Sequence, residues 1–356
     1  MDETLRMLKE LTDAPGVPGF EREARLVMER YLEPLADEVS RDRLGSVIGR
    51  KRGTADEPRI MLAGHLDEVG FMVSLITDQG FIRFQPLGGW WDQVLLAQRV
   101  VIKTHKGDVV GVIGSKPPHV LSAEERKKVV EKKDMFIDIG ASSKEEAMEM
   151  GVRLGDPIIP VSDFTVMNNE KYLMAKAWDN RVGCALAIEV LKRLQGQDHP
   201  NTVYGVGTVQ EEVGLRGAMV SAYGIVPDAA IAVDVGFGAA PGLPEDDVIK
   251  MGRGPAIALG ANVHPQLHEL LVETARLHGI PHQIEPMPAG SGTDAWAVQV
   301  VRSGVPTAVV SIPLRYMHSS VEVVDIEDVR NTARLLAHAA AALREEDVKG
   351  WTYDLT

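Results

Sequence analysis

The chain has 356 residues, of which 45% are hydrophobic and 25% are charged, a composition typical of a globular enzyme with about two domains. A net charge of −13 argues against binding to nucleic-acid backbones or anionic membranes. The acidic N-terminal segment lacks the basic and apolar regions of a secretion signal, and no run reaches roughly 20 apolar residues, so the sequence predicts a cytoplasmic protein without a membrane span.

Helical and β-type patterns alternate along the chain in three blocks. Two amphipathic helices near residues 3–13 and 21–33 precede an apolar strand that ends at His65. From about residue 69 to 166, short runs rich in valine, isoleucine and phenylalanine are broken by glycine and proline, which favours a small β-barrel or sandwich. Strands and helices then alternate again, with helices predicted over 180–195, from 265, and over about 325–346.

This order of blocks predicts an α/β fold in which one domain interrupts another. Residues 1–68 and 167–356 are expected to form a discontinuous α/β domain, with helices that flank its sheet. Residues 69–166 are expected to form the inserted all-β domain. Open α/β sheets carry their chemistry at the carboxyl ends of their strands, so the residues that follow predicted strands are the candidates for a functional site.

Five side chains that can bind a metal ion each follow a predicted strand or strand-like run. His65 closes Arg-Ile-Met-Leu-Ala-Gly-His, and Asp234 follows Ala-Ala-Ile-Ala-Val. Asp179 and Glu212 come after the runs that end in Ala-Lys-Ala-Trp and Thr-Val-Gln-Glu, and His318 comes shortly after Thr-Ala-Val-Val-Ser-Ile. Five such residues from five separate segments predict one convergent site.

The charge of this set favours two divalent ions. Three carboxylates and two neutral imidazoles carry a charge of about −3, and two divalent ions with a bridging hydroxide neutralise it. If one carboxylate bridges the ions, each ion keeps an open position for substrate. The single cysteine, Cys184, excludes a thiolate cluster, and nitrogen and oxygen ligands suit zinc, cobalt or manganese.

Adjacent glutamates supply a further requirement of such a site. A two-metal hydrolase needs one carboxylate to bind an ion and a free one to take a proton from the attacking water. A Glu-Glu pair alone is usually two surface charges, but Glu211 and Glu212 lie between an apolar run and a glycine-rich turn, which favours function. Asp67, two residues after His65, is a candidate to orient that imidazole. Asp294 is either a further supporting carboxylate or an acid in the first turn of a helix.

Seven segments, in the right order along nearly the whole chain, resemble the tetrahedral aminopeptidases. This family of dinuclear metallopeptidases includes glutamyl and leucyl aminopeptidases, and some of its members are labelled endoglucanases. The segments are Gly-His-Leu-Asp-Glu-Val-Gly, Ile-Gly-Ser-Lys-Pro-Pro-His, Ala-Trp-Asp-Asn-Arg-Val-Gly, Val-Gln-Glu-Glu-Val-Gly-Leu-Arg-Gly, Val-Asp-Val-Gly, Ser-Gly-Thr-Asp-Ala and Tyr-Met-His-Ser.

The resemblance implies a ligand set, and no ligand position departs from the family's pattern. Asp179 would bridge two ions, zinc or cobalt for preference and otherwise manganese. His65 and Asp234 would complete the shell of one ion. Glu212 and His318 would complete that of the other.

The resemblance also implies catalytic roles and an assembly. Glu211 would be the general base, and Asp67 would orient His65. The inserted β domain would be PDZ-like and would help to build a shell of about twelve subunits, as in the family it resembles. His119, within that insertion, is a candidate to reach the site of a neighbouring subunit.

The sequence therefore predicts an aminopeptidase that acts on short peptides with a free N-terminus. A deacylase or carboxypeptidase on a related two-zinc scaffold is the nearest alternative, because it would use the same ligands. A glycosidase needs two carboxylates that flank a sugar and has no need for a metal. A metal-stabilised shell protein without activity would have no use for a free base beside its ligands.

Overall fold

The structure, a computed structural model, describes residues 2–351 and residue 353. Its strands are β1 (Glu38–Arg41), β2 (Val47–Arg52), β3 (Arg59–His65), β4 (Gly70–Ile76), β5 (Ile82–Leu87), β6 (Arg99–Thr104), β7 (Gly107–Gly114), β8 (Phe136–Asp138), β9 (Pro157–Pro160), β10 (Thr165–Val166), β11 (Tyr172–Ala175), β12 (Thr202–Thr208), β13 (Ala229–Phe237), β14 (Ala256–Gly260), β15 (Gln283–Met287), β16 (Thr307–Arg315) and β17 (Glu322–Asp325). Its helices are α1 (Glu3–Asp13), α2 (Arg22–Leu32), α3 (Lys144–Glu149), α4 (Trp178–Arg193), α5 (Arg216–Ile225), α6 (Pro265–Leu277), α7 (Asp294–Val298), α8 (Ile326–Ala342) and α9 (Glu345–Lys349).

One mixed sheet of eleven strands organises most of the chain. Its strand order is β1-β2-β12-β3-β13-β16-β17-β11-β10, with β14 and β15 branching from β16. The central strands β12, β3, β13 and β16 run parallel to one another, whereas the strands at both edges pair antiparallel. The α/β fold class predicted from the sequence is confirmed.

Apolar residues cover both faces of the central strands. Along β3, Ile60 and Leu62 belong to a core with α1, α2, α4 and α8, while Met61 and Ala63 pack on the opposite face with α5 and α7. Successive side chains of a strand point to opposite faces, so a strand between two helical layers must be apolar at every position. Helix α4 lies inside the larger core, and nearly all of its residues are buried.

A second β structure lies between β3 and β10 in the chain. Strands β4, β5, β8, β7, β6 and β9 close into an antiparallel barrel in that order. Its separate core contains Phe71, Phe84, Ile102 and Ile137. All six strands fall within residues 69–166, where the sequence predicted a small β-barrel or sandwich. The structure shows the barrel, and the exact limits of the domain stay a prediction.

The predicted helices agree with the observed ones to within about four residues at each end. The first, expected at 3–13, is observed at Glu3–Asp13, and the last, expected at about 325–346, is Ile326–Ala342. Within residues 2–351, no helix combines the length and the apolar character that crossing a bilayer would need. The cytoplasmic location inferred from the N-terminal sequence stays a prediction.

A buried ion pair fixes the segment that follows His65. Both oxygens of Glu68 accept hydrogen bonds from Lys176 Nζ at 2.7 Å, and Glu68 Oε1 also accepts from the Gly16 amide at 3.1 Å. The guanidinium of Arg181 donates to backbone carbonyls, including those of Leu66 and Ala14. Buried charges are tolerated only when they are paired, so this cluster ties the end of β3 to the start of α4.

Candidate metal centre

The structure brings together all five residues that the sequence proposed as ligands. His65 ends β3, Asp179 lies at the start of α4, and Glu212 and His318 lie in the turns after β12 and β16. Asp234 differs in detail, because β13 continues three residues past it instead of ending before it. All five line one cleft of about 320 Å³.

The pairing of the strands explains why the cleft opens at this place. Strand β13 pairs with β3 only as far as Ala232 and Ala63, but it stays paired with β16 as far as Phe237. Beyond Ala63 the two parallel strands separate, and His65 and Asp234 follow on either side of the gap. The continued pairing with β16 is the physical reason why Asp234 is inside a strand.

Asp179 occupies the centre of the cluster. Its Oδ1 lies 3.1 Å from His65 Nε2, and its Oδ2 lies 3.3 Å from His318 Nε2. His318 Nε2 is also 3.3 Å from Glu212 Oε1. Three groups have possible ligand atoms within 4.8 Å of one another: His65, Asp179 and Asp234; Asp179, Glu212 and His318; and His65, Glu211 and Glu212. Asp179 is common to the first two groups, which is the position that a bridging ligand requires.

Backbone geometry aims Asp179 into the cleft. Asp179 and Asn180 have non-helical backbone angles at the start of α4, and the peptide bond between them is cis. Asn180 Oδ1 accepts a hydrogen bond from the Gly183 amide at 3.0 Å, and its Nδ2 donates to the Val233 carbonyl at 2.7 Å. Asn180 therefore caps the helical part of α4 and also joins α4 to β13.

Asp67 contacts His65 in a different way from the one expected. The His65 Nδ1 atom lies 2.9 Å from the backbone carbonyl oxygen of Asp67, whereas the nearer carboxylate oxygen is 3.7 Å away. The carboxylate instead accepts hydrogen bonds from the amides of Glu211 at 3.0 Å and Glu212 at 3.1 Å. The prediction that the carboxylate orients His65 is not matched by this geometry. Asp67 holds the imidazole through its backbone and the Glu-Glu turn through its side chain.

Glu211 lies beside the ligand cluster and is buried. Its Oε2 is 3.9 Å from His65 Nε2. Burial, with added repulsion from Asp234 and Asp294, raises the pKa of Glu211 to about 10 in the absence of bound cations. A carboxylate in this position is ready to exchange protons as soon as neighbouring positive charge lowers its pKa.

The neighbouring carboxylates also raise the pKa of the two imidazoles. Burial alone would lower the pKa of His318, but Asp179 and Glu212 raise it to about 11. Burial likewise opposes the charge on His65, but Glu211 and Asp179 raise the pKa of its imidazole well above the usual range. Burial and repulsion from Asp179 raise the pKa of Asp234 well above its ordinary value. Repulsion among these buried carboxylates is only partly offset by the two imidazoles, which is an environment that favours bound cations.

Two supporting carboxylates complete the surroundings. Glu322, at the start of β17, accepts hydrogen bonds from the Asp179 amide at 3.1 Å and the His318 amide at 2.9 Å. The sequence analysis missed it, although a carboxylate that opens a buried strand four residues after His318 is a usable signal. Asp294 begins α7, which is one of the two alternatives that the sequence left open, and its buried carboxylate accepts a 2.5 Å hydrogen bond from Thr208. A supporting role of Asp294 for the ligands stays a prediction.

Sequence comparison places this site in a known family. The sequence model described as M42 glutamyl aminopeptidase matches residues 45–335, and one described as AMPT matches residues 2–28. The chain is 40% identical over 342 residues to the lysyl aminopeptidase of Pyrococcus furiosus, with 96% of both chains covered.

Solved structures show the same likeness. The TET aminopeptidase of a marine-sediment Thaumarchaeota archaeon superimposes with a TM-score of 0.95 at 46% identity, covering 99% of this chain and 100% of that one. The TET1 peptidase of Pyrococcus horikoshii, described as able to assemble into a tetrahedron or a large octahedral shell, gives a TM-score of 0.85 at 34% identity, with 96% and 100% covered. The resemblance to the tetrahedral aminopeptidases is confirmed, and the chain belongs to the M42 glutamyl aminopeptidase family.

Proposed function

We propose that this protein is a metal-dependent aminopeptidase that removes the N-terminal residue from short peptides. The observation that carries the proposal is the pair of donor groups that share Asp179, with Glu211 buried next to them. The names of relatives in the same family support cleavage at a free N-terminus.

The donor set fits two divalent cations. Asp179 would bridge them, with His65 and Asp234 on one side and Glu212 and His318 on the other. Burial and repulsion from neighbouring carboxylates raise the pKa of Glu212 and Asp234, and bound cations would oppose that rise. Nitrogen and oxygen donors favour zinc or cobalt, with manganese as the other option.

Glu211 is the general base in this proposal. The cations, when bound, supply Lewis acidity that polarises the scissile carbonyl and lowers the pKa of a water molecule. The Glu211 carboxylate accepts the proton of the attacking water and delivers it to the leaving amine nitrogen. The Asp67 carboxylate keeps Glu211 in place by accepting its amide N–H. His65 keeps its Nε2 directed at Asp179, because its Nδ1 is bound by the Asp67 carbonyl.

A substrate comparison separates this activity from that of a deacylase or carboxypeptidase. Purified protein incubated with zinc, cobalt or manganese is expected to hydrolyse aminoacyl p-nitroanilides with a free amine, and to leave their N-acetylated counterparts intact. Release of p-nitroaniline is followed by absorbance, and chelator is expected to abolish it. Faster cleavage of the N-acetylated substrates would support the deacylase alternative. Unchanged activity in the presence of chelator would contradict the proposed metal dependence.

Two substitutions separate the base from the bridging ligand. Glu211→Gln is expected to retain its metal and to lose about 10²–10⁴-fold in kcat, because the amide cannot accept the proton. Asp179→Ala is expected to lose bound metal, as measured by elemental analysis. Glu170→Gln, at an exposed position, is the control for loss of one carboxylate charge. Near-normal turnover in Glu211→Gln, or full metal content in Asp179→Ala, would contradict the respective role.

Glu322 is proposed as a positioning residue for two ligands at once. One carboxylate accepts the backbone amides of both Asp179 and His318, so it fixes the distance between the turns that carry them. Burial and repulsion from Asp179 raise the pKa of Glu322 well above its usual value. The hydrogen bonds from the two amides oppose this rise, so they stabilise the charged carboxylate. A glutamine at this position offers only one oxygen, and its NH₂ group would face one of the two amide donors.

Glu322→Gln is therefore expected to lower metal affinity by about 10–100-fold, the usual effect of removing a partner that orients a ligand. Competition between the protein and a zinc-binding dye measures the affinity, and Glu346→Gln, at an exposed position, is the matched control. Unchanged affinity in Glu322→Gln would show that the two turns are held without this carboxylate.

The inserted barrel is proposed to mediate assembly into a tetrahedral dodecamer. The TET1 peptidase of Pyrococcus horikoshii supports this proposal, because that protein can assemble into a tetrahedron or a large octahedral shell. On the outer face of β7, Val110 is 66% exposed and Val112 is 41% exposed, while the alternate residues Gly111 and Ile113 are buried. Apolar side chains that face solvent on one side of a strand are typical of an interaction surface. Shell formation would enclose the clefts and admit only short or unfolded peptides.

Mass photometry is expected to give a particle of about twelve times the 38.8 kDa chain. Val110→Asp is expected to shift the population towards smaller species, because a charge in an apolar interface remains unpaired. Leu277→Asp is the control, since Leu277 is also exposed but lies on α6, outside the barrel. A monomeric wild-type protein, or equal disruption by both variants, would contradict a special role for the barrel.

A further inference from the structure

Glu285 is a carboxylate in the cleft to which the proposed mechanism gives no task. It lies in the middle of β15, on the branch of the sheet next to β14, and it lines the same cleft as Asp179 and Glu211. It has no position in either of the donor groups that share Asp179. No pattern in the sequence marks it, because Gln-Ile-Glu-Pro-Met is typical of an ordinary edge strand with alternating polar residues.

The Glu285 side chain is half-buried, and the described residues give its carboxylate no counter-charge. Its Oε2 is shielded from solvent and has no hydrogen-bond partner. Burial raises the pKa of Glu285, and the Ser311 hydroxyl only partly opposes the rise. The described residues that line the cleft include neither lysine nor arginine. An unpaired buried carboxylate is costly, so its presence in a ligand-sized cleft indicates that something else satisfies it.

A gap in the neighbouring strand gives the carboxylate its space. A Cβ atom added to Gly236, on β13, would lie 3.1 Å from Glu285 Oε1, so glycine at this position leaves room for the carboxylate. Gly236 is two residues past Asp234 on the same strand, a distance of about 7 Å. Glu285 therefore lies one side-chain length from the residues proposed to act on the N-terminal peptide bond.

Three apolar side chains line the same cleft as Glu285. They are Phe237, Met287 and Met317, of which Phe237 is 60% exposed, and the polar Ser291 and Thr293 also line the cleft. A carboxylate beside apolar side chains is complementary to a long aliphatic stem that ends in a cation. Lysine and arginine are the side chains with this form.

We infer that Glu285 selects substrates whose N-terminal residue is lysine or arginine, by pairing with the cationic end of that side chain. The inference rests on the proposed aminopeptidase function, whose substrate class it narrows. A cationic substrate supplies the partner that the buried carboxylate lacks. A neutral side chain leaves it unpaired, and an acidic side chain adds repulsion in a cleft that already contains several carboxylates.

The test compares lysyl, arginyl, leucyl and glutamyl p-nitroanilides with metal-loaded wild-type protein and Glu285→Gln. The wild type is expected to prefer the lysyl and arginyl substrates. Because hydrogen bonds to charged groups contribute about 1.5–3 kcal/mol, Glu285→Gln is expected to lower kcat/KM by about 10–100-fold for those two substrates. The leucyl substrate should change by less than about threefold, as removal of a charge that it does not contact has little effect. Glu273→Gln, exposed on α6, is the matched control.

A second measurement does not depend on turnover. Calorimetric titration of the metal-loaded protein with lysine hydroxamate and leucine hydroxamate compares the same side chains on a common metal-binding group. The lysine compound is expected to bind at least about tenfold more tightly, and Glu285→Gln is expected to remove the difference. Equal affinities, or an equal loss for lysyl and leucyl substrates in Glu285→Gln, would overturn the inference. Hydrolysis of the leucyl substrate without a preference for lysine would overturn it while leaving the aminopeptidase proposal intact. Absence of all hydrolysis would instead count against that proposal, and the titration would still decide the role of Glu285.

Discussion

Repulsion among buried carboxylates is the constraint on which this site depends. Asp179, Glu211 and Asp234 are all buried, and each belongs to a group of possible ligand atoms that also contains His65. Burial would raise the pKa of Asp179, but His318 and His65 hold it below its ordinary value, whereas burial and repulsion raise the pKa of Glu211 and Asp234. These carboxylates repel one another, and the surrounding backbone keeps them together.

Rigid elements supply that restraint. His65 lies on a central parallel strand, Asp179 begins a helix buried in the core, and Asp234 remains inside a strand that is paired with β16. Asn180 and Glu322 then tie the helix start to the neighbouring strands by side-chain hydrogen bonds to backbone groups. The buried pair of Glu68 and Lys176 provides a similar restraint on the side of β3. Interactions between distant segments thus hold like charges together at a free-energy cost that the large apolar core offsets.

The sequence was sufficient for the fold class and for the five residues that gather in the cleft, because both depend on local patterns. An apolar run followed by histidine, aspartate or glutamate predicts the carboxyl end of a strand, and the parallel order of β12, β3, β13 and β16 brings these segments together, although β13 continues three residues past Asp234. The orientation of Asp67 could not be read in the same way. Whether its carboxylate or its carbonyl faces His65 depends on the amides of Glu211 and Glu212, which lie about 144 residues away in the chain. The sequence analysis did not identify Glu322 and Glu285 for the same reason, because only the tertiary structure shows what a single glutamate in a strand contacts.

The two halves of the cleft use carboxylates in opposite ways. Around Asp179 the acidic groups are within contact distance of nitrogen donors, and their excess charge would be offset by the metal cations proposed for the site. Glu285 lies outside those donor groups, and the described residues that line the cleft offer it no lysine or arginine. The carboxylates around Asp179 support chemistry that is common to all substrates. Glu285, in contrast, would form an ion pair only with substrates that carry a cationic side chain. Because the free-energy penalty for an unpaired charge away from water is large, a single carboxylate such as Glu285 can discriminate between substrates without altering the catalytic groups. Glycine at position 236, which leaves space beside Glu285, is then as much a part of that discrimination as the carboxylate itself.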